Sequence, residues 1–131
     1  MKVQSSEDVA RLPVEMEGAV GCSVRWLVSR EDGAPNFAMR QFEIEPGGYT
    51  PHHHHPYEHE VYVLEGAGEV LDGETPRPIS AGDVILVQPD DVHQFRNTGD
   101  KPMKFLCLIP NSADNRPGVA GPECSAVESR Q

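Results

Sequence analysis

The chain is 131 residues long, which suits one domain built around one core. Its 21 Asp and Glu outweigh 11 Lys and Arg, and no basic stripe is present to neutralise phosphates, so nucleic acid is not expected as a partner; the acidity reads as a soluble, self-repelling surface. No apolar run approaches the roughly 18 residues of a membrane span, and the polar Met1 to Arg11 has no signal-peptide apolar stretch, so a cytoplasmic protein without a membrane partner is expected.

In chain order, residues 1–18 form either an arm or a short helix capped by Ser5 or Ser6. Val20 to Ser29 alternates, with Cys22, Val24, Trp26 and Val28 on one side and Ser23, Arg25, Leu27 and Ser29 on the other. Phe37 to Glu45 reads as a strand ending at Pro46-Gly47-Gly48. His59 to Glu65 is another, closed by Gly66-Ala67-Gly68. Glu69 to Leu71 then meets Asp72-Gly73, a hairpin signal because both residues tolerate positive φ. Val84 to Val87, Val92 to Arg96 and Met103 to Ile109 complete the strands. Twelve glycines and twelve prolines punctuate these segments, and about seven or eight strands at such spacing predict an all-β antiparallel sandwich or barrel over residues 1–110. From Pro110 the composition turns polar and rich in Pro and Gly, so residues 111–131 are expected to be a tail, loose or draped over a neighbour.

Cys22, Cys107 and Cys124 share no CxxC spacing and are odd in number, so neither a zinc knuckle nor a disulfide framework is indicated. Cys22 and Cys107 sit in apolar strand-like runs and read as small core residues, consistent with a reducing cytoplasm.

The histidines fall in two places: His52, His53, His54, His55 and His59, then His93 alone. Imidazole is the commonest metal ligand, and a cluster followed by one distant histidine can build a site from two segments. Because a strand alternates faces, His53 and His55 share one face and His52 and His54 the other, where they are expected to be solvated. After Pro56 the pattern restarts, with His59, Val61 and Val63 on one face and Glu58, Glu60, Tyr62 and Leu64 on the other. His59 is therefore a third candidate ligand, and His93 a fourth from a neighbouring strand. An interior that is apolar below and lined by histidines above suits a ligand-binding barrel. Phe95 should share the inward face of His93 and wall the pocket.

The spacing resembles the paired motifs of the cupin superfamily, small antiparallel barrels of jelly-roll (double-stranded β-helix) type that hold a metal. Gly47, His53, His55 and Gly66 occupy places of the first motif, with His59 where the three-residue spacing would put its Glu. Gly82, His93 and Asn97 match the second, while Gln88 and Asp90 stand at its Pro and inner Gly places. More narrowly, APNFAMR (Ala34 to Arg40), HHHPYEHE (His53 to Glu60), FRN (Phe95 to Asn97) and FLCLIP (Phe105 to Pro110) are similar to small bacterial single-domain cupins with four-histidine sites that take manganese and oxalate. The resemblance implies His53, His55, His59 and His93 as ligands of one divalent transition metal ion, manganese or iron ranked first and nickel or zinc after. Glu60, at the alternative four-residue spacing, is the other candidate for the place of His59; alternation favours His59. The resemblance also implies a homodimer, with the N-terminal residues or Met103 to Ile109 at its interface.

Four imidazoles carry no charge, so the ion keeps its full positive charge inside the barrel. A six-coordinate ion would keep two positions for water or substrate. A small anionic, bidentate ligand is therefore expected: a dicarboxylate, 2-oxo acid, enediolate or catecholate. Turnover by oxygenation, isomerisation or carbon–carbon cleavage is the leading expectation, and non-catalytic capture or sensing the alternative. Glu60 and Arg40 are the candidate catalytic groups; Arg40 would neutralise a bound anion if its strand turns that face inward, and otherwise is a surface arginine. Thr50 stands where related oxalate decarboxylases carry an arginine, and His59 where they use Glu, which argues against that reaction.

Overall fold

The computed structural model describes residues 1–116, and every regular element there other than three short 3-10 turns is a strand. The strands are β1 (Leu12–Pro13), β2 (Val20–Val28), β3 (Phe37–Tyr49), β4 (His59–Glu65), β5 (Ala67–Asp72), β6 (Thr75–Ser80), β7 (Val84–Val87), β8 (His93–Arg96) and β9 (Met103–Pro110). They pair antiparallel in the order β6-β5-β8-β3-β9-β4-β7, with β2 laid on β3 and β1 on β2. The sheet curls into the all-β barrel that the alternation and turn spacing predict.

β3 joins the two sides of that curl. Its first part pairs with β9 from Phe37↔Pro110 to Ile44↔Met103, and its last residue, Tyr49, pairs with Arg96 of β8. The turn residues predict an end at Glu45, but the strand runs on through Pro46-Gly47-Gly48. Gly47 takes φ +83, and a Cβ on Gly48 would lie 2.5 Å from the Val20 carbonyl oxygen. The glycines therefore let the strand bend and pass tightly along β2 instead of stopping it.

β6 escaped the sequence reading because Pro76 and Pro78 break the strand signal. It pairs only with β5, at the end of the sheet order, where a missing amide leaves no neighbour unsatisfied. The hairpin before it turns one residue later than Asp72-Gly73. Asp72 still pairs with Thr75, and of the turn residues Gly73-Glu74 only Gly73 (φ +65) is left-handed, as a type II′ turn requires.

The N-terminal residues are an arm. A single 3-10 turn (Ser6–Asp8) is capped by the Ser5 hydroxyl, which accepts from the Glu7 amide at 3.2 Å. Arg25 on β2 donates to the carbonyls of Ser6 and Val9 at 3.2 and 2.6 Å, which holds the arm on the outside of the sheet. At the other end Asn111, Ala113 and Asp114 are buried, and Asp114 pairs with Arg30 and Arg116. Residues 111–116 thus pack on the barrel; the rest of the expected tail, with Cys124, lies outside the described residues.

Met103, Phe105, Cys107 and Ile109 of β9 alternate inward with Ala38, Ile44, Val61, Val63 and Phe95. Phe105 stacks between Phe42 and Phe95, at ring separations of 5.4 and 4.8 Å. Tyr62 and Leu64 point outward as the alternation requires, and together with Val84 and Leu86 they leave apolar side chains exposed on the outside of β4 and β7. No helix among the described residues is long and apolar enough to cross a membrane.

Candidate metal centre

The segment between β3 and β4 carries His52 to His55, and two backbone ties place it. His53 and His93 exchange amide hydrogen bonds of 3.1 and 2.9 Å, so a loop residue registers against the first residue of β8. The amide of Asp90 donates to the His55 carbonyl at 2.8 Å. Asp90 stands at the motif's inner Gly place and adopts φ +69, the sole non-glycine positive φ among the described residues. Aspartate tolerates that conformation better than most residues, so the departure from the motif preserves the loop. Asn97 also has a structural part: its side-chain amide donates to the carbonyls of Ile44 and Lys101, both at 2.8 Å.

These ties bring ligand nitrogens of His53, His55 and His93 within 4.8 Å of one another, a grouping that could hold a metal ion. His59, on the first residue of β4, joins through His55: their Nε2 atoms are 2.6 Å apart, and its ring lies 5.4 Å from that of His93. Two imidazole lone pairs cannot face each other so closely. One nitrogen therefore carries a proton that the other accepts. His52 and His54 are exposed, as expected.

Tautomers follow from the partners. His93 Nδ1 lies 2.8 Å from the Asp91 carbonyl and His55 Nδ1 lies 3.3 Å from the Tyr57 carbonyl. A carbonyl only accepts, so each Nδ1 holds the proton and leaves Nε2 with a free lone pair, the form a metal needs. The Tyr57 ring stacks on His55 at 4.1 Å. Phe95 adjoins His93 edge-on at 6.2 Å, on the inward face where alternation put it.

Burial keeps the cluster neutral. It lowers His53 and His55 to about 4, with the neighbouring imidazoles adding to the effect. His59 is driven further down, by desolvation first and then by the Arg40 charge. Burial also lowers His93, partly offset by the Asp91 carbonyl. An unfolded histidine takes its proton near 6.5, whereas His53 and His55 resist until about 4. In that window the unfolded chain binds more protons, so stability rises with pH there and is lost as pH falls from about 6.5 towards 4. The melting temperature of the metal-free protein should drop across this range, and less steeply in His53→Gln. A flat profile would contradict neutral burial of these rings.

Arg40 resolves inward. It pairs in register with Cys107 and Trp26, both on inward faces. Its guanidinium lies over the rings of Phe42 (4.8 Å) and Trp26 (5.4 Å) and donates to Cys107 Sγ at 3.1 Å, with His59 Nδ1 at 3.5 Å. Arg40 Nε is buried without a hydrogen-bond partner among the described residues. Glu60 is exposed on the outer face, where alternation puts it, and the pKa of its carboxyl is raised chiefly by a hydrogen bond with Glu58. The strict alternation of β4 that buries His59 turns Glu60 away, so it is not brought to the histidines.

Cys107 is the neighbour the sequence reading missed. Alternation places it inward, but its Sγ also lies 2.9 Å from His59 Nδ1, a contact between distant strands that local pattern does not show. Two clefts flank the cluster. One of about 600 Å³ opens between the β5–β6 hairpin and β7 and reaches His93. The other, about 560 Å³, lies between Met16 to Gly18 and Tyr49 and reaches His53.

Residues 40–109 match the model of the Cupin domain family. The oxalate-binding protein of Thermotoga maritima is 33% identical over 114 residues, covering 83% of this chain and 93% of that protein. Protein SchB of Streptomyces halstedii is 42% identical over 69 residues, covering 52% of this chain and 50% of SchB. The chain likewise spans 49% of two further curated relatives that it matches. Among solved structures, the polyketide cyclase RemF from Streptomyces resistomycificus superposes with a TM-score of 0.81 at 32% identity, over 94% of this chain and 88% of RemF. Motif, barrel and these likenesses agree: the chain belongs to the cupin family.

Proposed function

We propose that His53, His55, His59 and His93 hold one divalent transition metal ion, manganese or iron before nickel or zinc, and that the chain is an enzyme acting on a small chelating oxygen anion. The observation that carries this reading is the donor set: imidazoles converging inside the barrel, kept neutral by burial. The residues present fit such an ion. His55 and His93 have Nδ1 engaged by carbonyls, which leaves each Nε2 unprotonated; the His55 Nε2 meets that of His59, so a cation held by both rings would displace the proton they share.

When bound, the ion supplies an uncompensated positive charge that polarises the oxygens of its ligand. The chain's own residues do the rest. Arg40 adds a second fixed positive charge beside His59, while Tyr57 and Phe95 wall the rings and exclude water on their sides. A dicarboxylate, a 2-oxo acid and an enediolate all offer two oxygens placed to chelate. So does the enolate of a polyketone, and this variant is favoured by the likeness to the polyketide cyclase over nearly the whole chain. The likeness to an oxalate-binding protein favours a second reading, metal-dependent capture without turnover.

The test is calorimetry of oxalate, a 2-oxo acid and a 1,3-diketone against manganese-loaded and chelator-treated protein, with turnover followed by NMR. Binding that requires the metal, with conversion of one ligand, is expected. Metal-dependent binding with no conversion would favour capture. Anion affinity unchanged by chelation would overturn both readings.

A further inference from the structure

We propose that the Cys107 thiol selects which nitrogen of His59 is free, and so decides whether His59 can join the metal cluster. The inference rests on the reading of His59 as a ligand given above, and Cys107 acts in it as a positioning residue.

His59 offers its two nitrogens to two different environments. Nε2 faces His55 at 2.6 Å, and Nδ1 faces Cys107 Sγ at 2.9 Å and the Arg40 guanidinium at 3.5 Å. A ring that gives its Nε2 lone pair to a cation must keep its proton on Nδ1, and a buried N–H needs an acceptor. A guanidinium has donors only, so Arg40 cannot serve. Of the two groups at Nδ1, only Sγ can accept.

A thiol can also take the opposite part. In the metal-free form the S–H donates to Nδ1, and the Nε2–H donates to His55, whose own proton is committed to the Tyr57 carbonyl. That chain of donors satisfies each of these atoms and leaves His59 with its ligand nitrogen blocked. Turning the S–H away, so that Sγ accepts from Nδ1–H, frees Nε2. His55 and His93 have no such choice, because a backbone carbonyl holds each Nδ1 proton in the ligand-ready form.

The geometry holds the thiol to this task. Cys107 stands opposite Arg40 in the β3–β9 register and opposite Val61 in the β4–β9 register, on the buried face two residues along the strand from His59. The Arg40 donation to Sγ at 3.1 Å is compatible with both states and fixes where the sulfur sits. Packing alone would ask only for a small apolar side chain at this position.

The experiment uses zinc as the probe and 15N-labelled histidine to read the tautomers. In the wild-type protein His59 is expected as Nε2–H without metal, and as Nδ1–H with Nε2 ligated in the zinc-loaded form. Cys107→Val should lower zinc affinity by about 10–100-fold and leave His59 protonated on Nε2 and off the metal. Cys107→Ser, which can still accept and donate, should restore both affinity and tautomer. Circular dichroism checks folding, and Cys107→Ala replaces the valine variant if that one fails to fold. Wild-type zinc affinity in the valine or alanine variant, with an unchanged His59 signal, would overturn the proposal while leaving the metal site intact. A metal-free wild type with His59 already in the Nδ1–H form would overturn it equally. A wild type that takes up neither zinc nor manganese would overturn the metal reading and this inference with it.

Discussion

Removing the imidazole of His55 is expected to lower metal affinity by at least about 100-fold, beyond the range typical for loss of a group that merely supports a ligand. His55 is where the two parts of the site meet. It groups with His53 and His93 within 4.8 Å, and its Nε2 is the atom that contacts His59. It is also held from two sides, by the Tyr57 carbonyl and by the Asp90 amide on its own carbonyl. Without it only His93 still adjoins both His53 and His59, and the nearby Glu58 is exposed and does not face inward to replace it. Titration of His55→Ala with manganese and zinc, followed by metal analysis after dialysis, measures the effect. His52→Ala is the control, since His52 is exposed and touches the Gly73 carbonyl instead. Equal affinity in the His55 variant and the wild type would remove the four-imidazole centre.

Phe105→Ala is expected to destabilise the barrel by about 3–5 kcal/mol, the usual range for deleting a buried phenyl ring. Phe105 is 2% exposed and lies in the middle of β9, flanked by β3 and β4. Its ring is stacked with both Phe42 and Phe95, so truncation opens a gap that neither neighbour can close without leaving its own strand position. Phe95 in turn contacts His93, so the gap adjoins a ring that touches the histidine cluster. Urea unfolding of the metal-free protein gives the value. A loss below about 1.5 kcal/mol would mean that the core repacks as freely as in a volume-conserving swap. Metal affinity should change less than in His55→Ala, because the ligating segment is tied by backbone hydrogen bonds that do not involve Phe105.

The sequence made much of this architecture legible because its cues are local. Alternation in β4 put His59, Val61 and Val63 on one face, and all three are buried. The same period put His93 with Phe95, and both are buried. The limits fell where a local rule met a tertiary exception. Pro76 and Pro78 argued against a strand, yet an edge position accepts them. Pro46-Gly47-Gly48 read as a stop, yet close approach to Val20 makes it a bend inside β3. Arg40 could be read as facing either way until its register with Cys107 was known.

Periodicity, turn residues and the spacing of two short motifs were thus enough to specify an all-β barrel and to nominate its histidines. They encode what lies a few residues apart along one strand. Which side chains stand behind those histidines was set elsewhere. The meeting of Cys107 and Arg40 at His59 depends on how β3, β4 and β9 pair across separations of 19 to 67 residues. A one-residue slip in any of those pairings would turn the same side chains to the opposite face, so folding of the whole sheet, with its bends and edges, had to settle them.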